Sequence, residues 1–260
     1  MQHTRLVGRL ATATVLIATT ACGSQPVDER AGASGPASDV GTSTSAAPTS
    51  TSAAPTPALT ADERLVAEAL LEPGDAGEDW EQVSEAFFFP NSAELARPIA
   101  ECQPYAEVVF QGGAQHGVGT SSAISYRQNV VFLYVAVFPT VEMASAMLDA
   151  VSSEGFDECW ARFNEAAVLN MSMPITNPRY SPEPPPDFTF DADAWSVKYL
   201  VGTVEFGGAE TTDTCVCIFA RVGRAVVEVH STEPTLTPEK RVALAQLAID
   251  KTRRTLAAEG

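Results

Sequence analysis

The chain has 260 residues and a mass of 27.5 kDa, and its 16 Lys and Arg against 33 Asp and Glu leave a net charge of −17. So acidic a surface repels phosphate backbones and anionic head groups, which argues against nucleic-acid binding and against docking on lipid through charge. The length suits one domain once a first part that is not folding material is set aside.

Residues 1–21 carry Arg5 and Arg9, an apolar stretch from Leu10 to Ala18, and the small residues Thr19, Thr20 and Ala21 before Cys22. This is the pattern of a secretory signal, too short to span a bilayer as a helix. Its end looks like a bacterial lipobox, so Cys22 is expected to be lipidated, by palmitate among other acyl chains, and to become the new N-terminus. The mature chain would sit on the extracytoplasmic face of the cell membrane, held by that lipid. Residues 23–58 collapse to Ser, Thr, Ala, Pro and Gly, with Thr-Ser-Ala-Ala-Pro-Thr at Thr44 and again at Thr51. Such a segment cannot bury a core, and about 35 flexible residues reach roughly 30–35 Å, so residues 22–58 read as a disordered tether. Its Ser and Thr could carry sugars or form a bare spacer.

The folded domain is expected over residues 59–260. Thr60 and Glu63 make a capping box ahead of Leu65, Val66, Ala69 and Leu70 at helical spacing, with a stop near Pro73 and Gly74. Residues 80–89 read as a strand, and Asn91 with Glu94 signals a short helix interrupted by Pro98, with Cys102 directly behind it. Residues 111–120, glycine-rich and containing His116, lack the Lys-Ser/Thr ending of a phosphate loop and read as a surface turn.

Residues 129–138, Asn-Val-Val-Phe-Leu-Tyr-Val-Ala-Val-Phe, are nearly uninterrupted β-branched and aromatic residues before Pro139, which predicts a buried strand with a hard stop. Thr140 then caps a helix whose apolar stripe is Ala144, Met147, Leu148 and Val151. This strand and helix form the expected centre of the core. Residues 163–173 read as another strand, on which Met171 and Met173 share a face, as core residues before soft-metal ligands. Residues 177–187 hold five prolines and read as a stiff, exposed loop that connects, or docks a partner groove.

Trp195, Val197, Tyr199 and Val201 alternate with Ser196, Lys198, Leu200 and Gly202, the pattern of a strand with one buried face, ended by Gly207 and Gly208. Residues 214–222 and 225–230 flank Gly223 and Arg224 as a hairpin. Thr237, Pro238 and Glu239 start a last helix with its stripe through Val242, Ala245, Ile249 and Leu256. The sum is a single α+β domain, a central antiparallel sheet with helices packed on it.

Cys102, Cys159, Cys215 and Cys217 remain in a domain where oxidation is the default, with three possible full pairings. Cys215 and Cys217, two apart in a strand, would make a strained bond, and Cys102 with Cys159 is the favoured pair. No second close ligand pair supports zinc, and a strand is a poor place for a reactive thiolate.

The apolar strand closing in Val137, Phe138 and Pro139, the Ala-rich helix after it, Cys159 beyond that helix, and the late hairpin before a terminal helix resemble the PknH-like extracellular sensor domain family. The resemblance spans roughly residues 70–256 and carries no catalytic signature. It implies an α+β fold, a cleft for a small ligand and disulfides at the edges, one of them matching Cys102 and Cys159. No cysteine between Cys159 and Cys215 could supply the partner of a hairpin cysteine. The chain carries no kinase, so any sensing would pass through a partner.

Gly-x-Ser-x-Gly and His-Glu-x-x-His are both absent, and only His116 and His230 survive loss of the leader. Glu228 and His230 share a face of the last strand and could meet as acid and base in a cleft, though a solvated strand face is the plainer reading. No catalytic residue, metal or cofactor is therefore expected. The expected function is a non-enzymatic, sensor-like domain that binds a small or lipidic ligand. The alternative is a structural or assembly lipoprotein that binds another cell-envelope protein.

Overall fold

The computed structural model describes residues 59–83, 92–110, 118–126, 129–170, 175–232 and 236–259. Residues 1–58, with the expected signal, Cys22 and the expected tether, lie outside them, as do His116, Met171 and Met173. Among the described residues no helix is long and apolar enough to cross a membrane.

Seven strands form one antiparallel sheet: β1 (Trp80–Gln82), β2 (Val118–Tyr126), β3 (Asn129–Val137), β4 (Ile175–Pro182), β5 (Ala194–Phe206), β6 (Ala209–Val222) and β7 (Ala225–Thr232). Their order is β1-β2-β3-β7-β6-β5-β4. The helices are α1 (Ala61–Ala69), α2 (Pro73–Ala76), α3 (Ser92–Ala96), α4 (Val141–Ser152), α5 (Glu154–Leu169) and α6 (Pro238–Ala258). A 3-10 segment (Ala100–Tyr105) runs into a π-helical turn (Ala106–Phe110) ahead of β2. The expected α+β domain with a central antiparallel sheet is the fold observed.

Both faces of the sheet are covered, which the strand period makes visible. On one face Val131, Leu133, Val135 and Val137 of β3 join Val216, Ile218 and Ala220 of β6 and Val227 and Val229 of β7. Helices α1 and α6 close that layer through Leu65, Val66, Leu244, Ala245 and Ile249. On the other face the alternate residues of β6, Cys215, Cys217 and Phe219, meet Phe156, Trp160 and Phe163 of α5. Beside them Ala144 and Met147 of α4 pack on Ala136, Phe138 and Val226.

Local signals place the helices. Thr60 and Glu63 complete a reciprocal capping box at α1, and the Thr140 and Thr237 hydroxyls accept from Met143 N and Lys240 N at the starts of α4 and α6. Helix α1 stops at Ala69, before Pro73, which instead opens α2. The buried stripe of α6 runs through Arg241, Leu244, Ala245, Ala248, Ile249 and Thr252, with Val242 and Leu256 on its flank.

Four expectations are corrected. The strand expected over residues 80–89 is a strand only to Gln82, and residues 84–90 lie outside the description. Of the turn expected over 111–120, residues 118–120 belong instead to β2, a strand whose Ser and Thr content hid its alternation, and residues 111–117 lie outside the description. Residues 163–169 belong to α5, because Phe156, Trp160, Phe163 and Ala167 share one helical face and a short apolar run does not separate helix from strand. The proline-rich residues 177–187 begin inside β4, an edge strand, where Pro178 and Pro182 cost little because one side of the strand needs no partner. Only its continuation, residues 183–187, is an exposed connection.

Strand β5 also departs from its expected single buried face. Trp195 is exposed, whereas Lys198 and Leu200 on the alternate face are buried under α4 and α5. The Lys198 ammonium is accommodated by Asp157 Oδ1 at 2.6 Å and lies 5.8 Å from the Phe156 ring centre.

Candidate ligand cavity

Where α4 and α5 lean over β3, β7 and β6, the sheet and helices leave a cavity of about 220 Å³, open on one side. Its walls are mostly aromatic. Phe132 and Tyr134 rise from β3, Phe219 from β6, Trp160 and Phe163 from α5, and Phe110 from the π-helical turn. These rings brace one another: Phe110 and Phe163 lie 4.7 Å apart between centres, and Trp160 and Phe163 lie 5.4 Å apart and nearly parallel.

Besides Ser92, Ser121 and the Tyr134 phenol, the polar groups of this wall are Glu228 and His230, the pair that the sequence places on one strand face. That face is not the solvated one expected, because α5 covers it. His230 is 6% exposed, beside Phe132 and Trp160 with ring centres 5.8 Å from each. Glu228 and His230 do not bond to each other; each has a thiol behind it. Cys217 donates to Glu228 Oε1 at 3.2 Å, and Cys215 Sγ lies 3.0 Å from His230 Nε2. Cys215 Sγ also lies 3.5 Å from Asn164 Oδ1, whose amide is fixed by donating to Trp160 O at 2.8 Å.

The register explains the pattern. Cys217 is opposite His230 and Phe219 is opposite Glu228 across β6 and β7, while Tyr134 is opposite Glu228 and Phe132 opposite His230 across β3 and β7. Each polar residue is therefore flanked by ring-bearing or sulfur-bearing neighbours on the same face.

Burial sets the protonation states. Desolvation pushes the Glu228 carboxyl up to about 7, with the Cys217 bond pulling the other way. Desolvation pulls His230 down to about 4. Tyr134 is pushed up to about 12, by burial first and then by the Glu228 charge. Burial drives Cys215 and Cys217 well above the usual thiol range. Cys215 and His230 accordingly stand as a neutral pair, unlike the thiolate and imidazolium of an activated nucleophile. The arrangement can surround an apolar group and offer it one carboxyl and a few weak donors.

Trp160 is 4% exposed and its Nε1 has no hydrogen-bond partner among the described residues. A buried donor left unpaired costs about 1–3 kcal/mol. Sequence reasoning does not single out Trp160, Tyr134 or the two thiols as site residues. The aromatic spacing Phe156, Trp160 and Phe163, four and three residues apart, is the available signal, and dividing that stretch into helix and strand conceals it.

Cys102 and Cys159 are bonded, with Cα atoms 4.7 Å apart, and join the 3-10 segment to α5 behind the cavity. Cys215 and Cys217 are free and fully buried. Among the described residues no cluster of His, Cys, Asp and Glu has the arrangement of a metal site.

No family model matches the chain, and no curated protein matches it. Among solved structures it is similar to the extracellular domain of PknH from Mycobacterium tuberculosis, at 12% identity and a TM-score of 0.43, over 75% of this chain and 97% of that one.

Proposed function

We propose that this chain is a lipid-anchored, extracytoplasmic, non-enzymatic domain that binds a small ligand in the cavity beneath α4 and α5. The observation that carries the reading is the aromatic cavity itself, an enclosure of braced rings that keeps a carboxyl and an imidazole on its wall. Ligand sites are concave, mainly apolar and furnished with a few placed polar groups, and such a cavity meets each condition. Its size favours a compact molecule over a whole acyl chain. The anchoring part of the reading rests on Cys22 behind its apolar leader and on the tether of residues 23–58.

The test uses the full chain, expressed with its leader in a bacterium that processes lipoproteins. Native mass spectrometry before and after solvent extraction should show a defined added mass that extraction removes and that Ser121→Trp, which blocks the cavity, never acquires. A bare polypeptide mass in every preparation would sink the carried-ligand reading. Cys22→Ala should abolish incorporation of labelled palmitate and release the protein from the membrane fraction; retention there would refute the anchor.

A second reading, a structural or assembly protein that holds another envelope protein, is favoured by one observation. Residues 181–187 stand exposed along and beyond the end of edge strand β4, fixed at their far end by the buried Phe188 and Phe190. Deleting residues 183–186 should remove a protein partner and spare the cavity if this reading holds.

A further inference from the structure

The wall of the cavity carries, among the described residues, one carboxyl, Glu228, and no lysine or arginine. Among the described residues no ion pair engages Glu228, which accepts a hydrogen bond from the Cys217 thiol. His230 is held neutral, Tyr134 is a neutral phenol, and Lys198, on the strand next to β6, is already engaged by Asp157. An anionic ligand would meet the Glu228 charge with no lysine or arginine among the described residues of the wall. A cation would meet a carboxylate whose cross-strand neighbours on either side, Tyr134 and Phe219, both present rings to the same space, with Phe132 and Trp160 beyond.

We propose that the ligand of this cavity is a small organic cation, an amine or quaternary ammonium on a compact apolar body, with its nitrogen against Glu228 and its hydrocarbon among the rings. This rests on the ligand-binding reading above and narrows its chemistry. Ring quadrupoles attract cations at their faces, and a half-buried carboxylate beside apolar rings gains more from a cation than one in open water does. The volume agrees: an engineered apolar cavity of about 150 Å³ holds benzene, so 220 Å³ admits a ring with a compact head group. The net charge of the chain, −17, also raises the concentration of cations around the protein.

The experiment compares two probes of nearly equal shape, phenyltrimethylammonium and the uncharged tert-butylbenzene, by titration of the full chain at about pH 8, where Glu228 is ionised. The wild-type chain should bind the cation at least about tenfold more tightly than the hydrocarbon. Glu228→Gln, which keeps the shape and removes the charge, should bring the two within about twofold while still binding the hydrocarbon, which shows that the cavity survives. Phe132→Leu is the second variant and should weaken the cation several-fold more than the hydrocarbon. Equal binding of the two probes by wild type, or a cation preference that survives Glu228→Gln, would overturn the proposal and leave an apolar ligand site. If wild type binds neither probe, the ligand reading falls with it.

Discussion

Cys215 Sγ lies 3.0 Å from His230 Nε2, on the sheet side of the cavity wall, and Cys217 stands in the same relation to Glu228. The two thiols form a buried second row that supports the polar groups of the first. Because burial drives both thiols well above their ordinary range, neither supplies thiolate near neutral pH. Maleimide treatment of the native chain followed by peptide mapping should leave Cys215 and Cys217 unmodified, and both should label fully in guanidinium. Labelling of either in the native state would contradict this placement.

The pH response of stability follows from two shifts of opposite kind. Glu228 is raised to about 7 in the folded state from 4.5, so folded protein holds the proton more tightly and loses stability as pH rises from about 4.5 to about 7. His230 is lowered to about 4 from 6.5, so unfolded protein holds its proton more tightly and stability is gained as pH rises from about 4 to about 6.5. The two contributions oppose one another over most of the same window. Urea titrations should show Glu228→Gln gaining on wild type by about 2–3 kcal/mol as pH rises through that window, and His230→Gln losing by a similar amount. Parallel pH profiles for all three proteins would refute both assignments.

The Cys102 to Cys159 bond closes a separation of 57 residues. In the chain-entropy account a loop of that length is worth about 4 kcal/mol. The double Ser variant should therefore lower the urea midpoint by an amount equivalent to about 3–4 kcal/mol, and the oxidised wild type should lose as much on reduction under native conditions. A change under about 1 kcal/mol would show that the bond crosslinks a region already ordered in the unfolded chain.

Lys198 and Asp157 form an unequal pair, the lysine 6% exposed at its side chain and the aspartate 37%. Removing the aspartate strands an ammonium under α5, whereas removing the lysine leaves a carboxylate able to turn to water. Asp157→Asn should cost about 1–3 kcal/mol, more than Lys198→Met, because an uncompensated buried charge is the expensive outcome. Equal or reversed costs, read from urea midpoints, would refute the asymmetry.

What was legible in the sequence was what is local. Thr60 with Glu63, Thr140 and Thr237 announced their helices because caps act within one turn. Residues 129–138 announced β3 because a strand buried on both faces is apolar throughout. The bond between Cys102 and Cys159 was favoured because the two other cysteines stand badly for each other. Pro178 and Pro182 misled, since a proline's tolerance in β4 depends on that strand being last in the sheet, a fact about its neighbours. The cavity was the least legible part. Glu228 and His230 could be placed on one face, but whether that face met water or α5 depends on a helix far earlier in the chain. The neutral state of His230 is a property of that covering.

Arg224, in the turn between β6 and β7, reaches Asp62 at 2.7 Å, beside the start of α1, and Glu259 at 3.6 Å, just past the end of α6. One guanidinium thus holds the opening and closing stretches of the folded unit side by side. Adjacent ends can be joined without distorting the interior. A circular permutant that links residue 259 to residue 59 through a few glycines, and opens the chain in the exposed stretch 183–187, should fold with the same helix and strand content. In such a protein the new chain ends would leave from the edge of the sheet at β4, and the cavity would face its surroundings in a different orientation from that set by the natural ends.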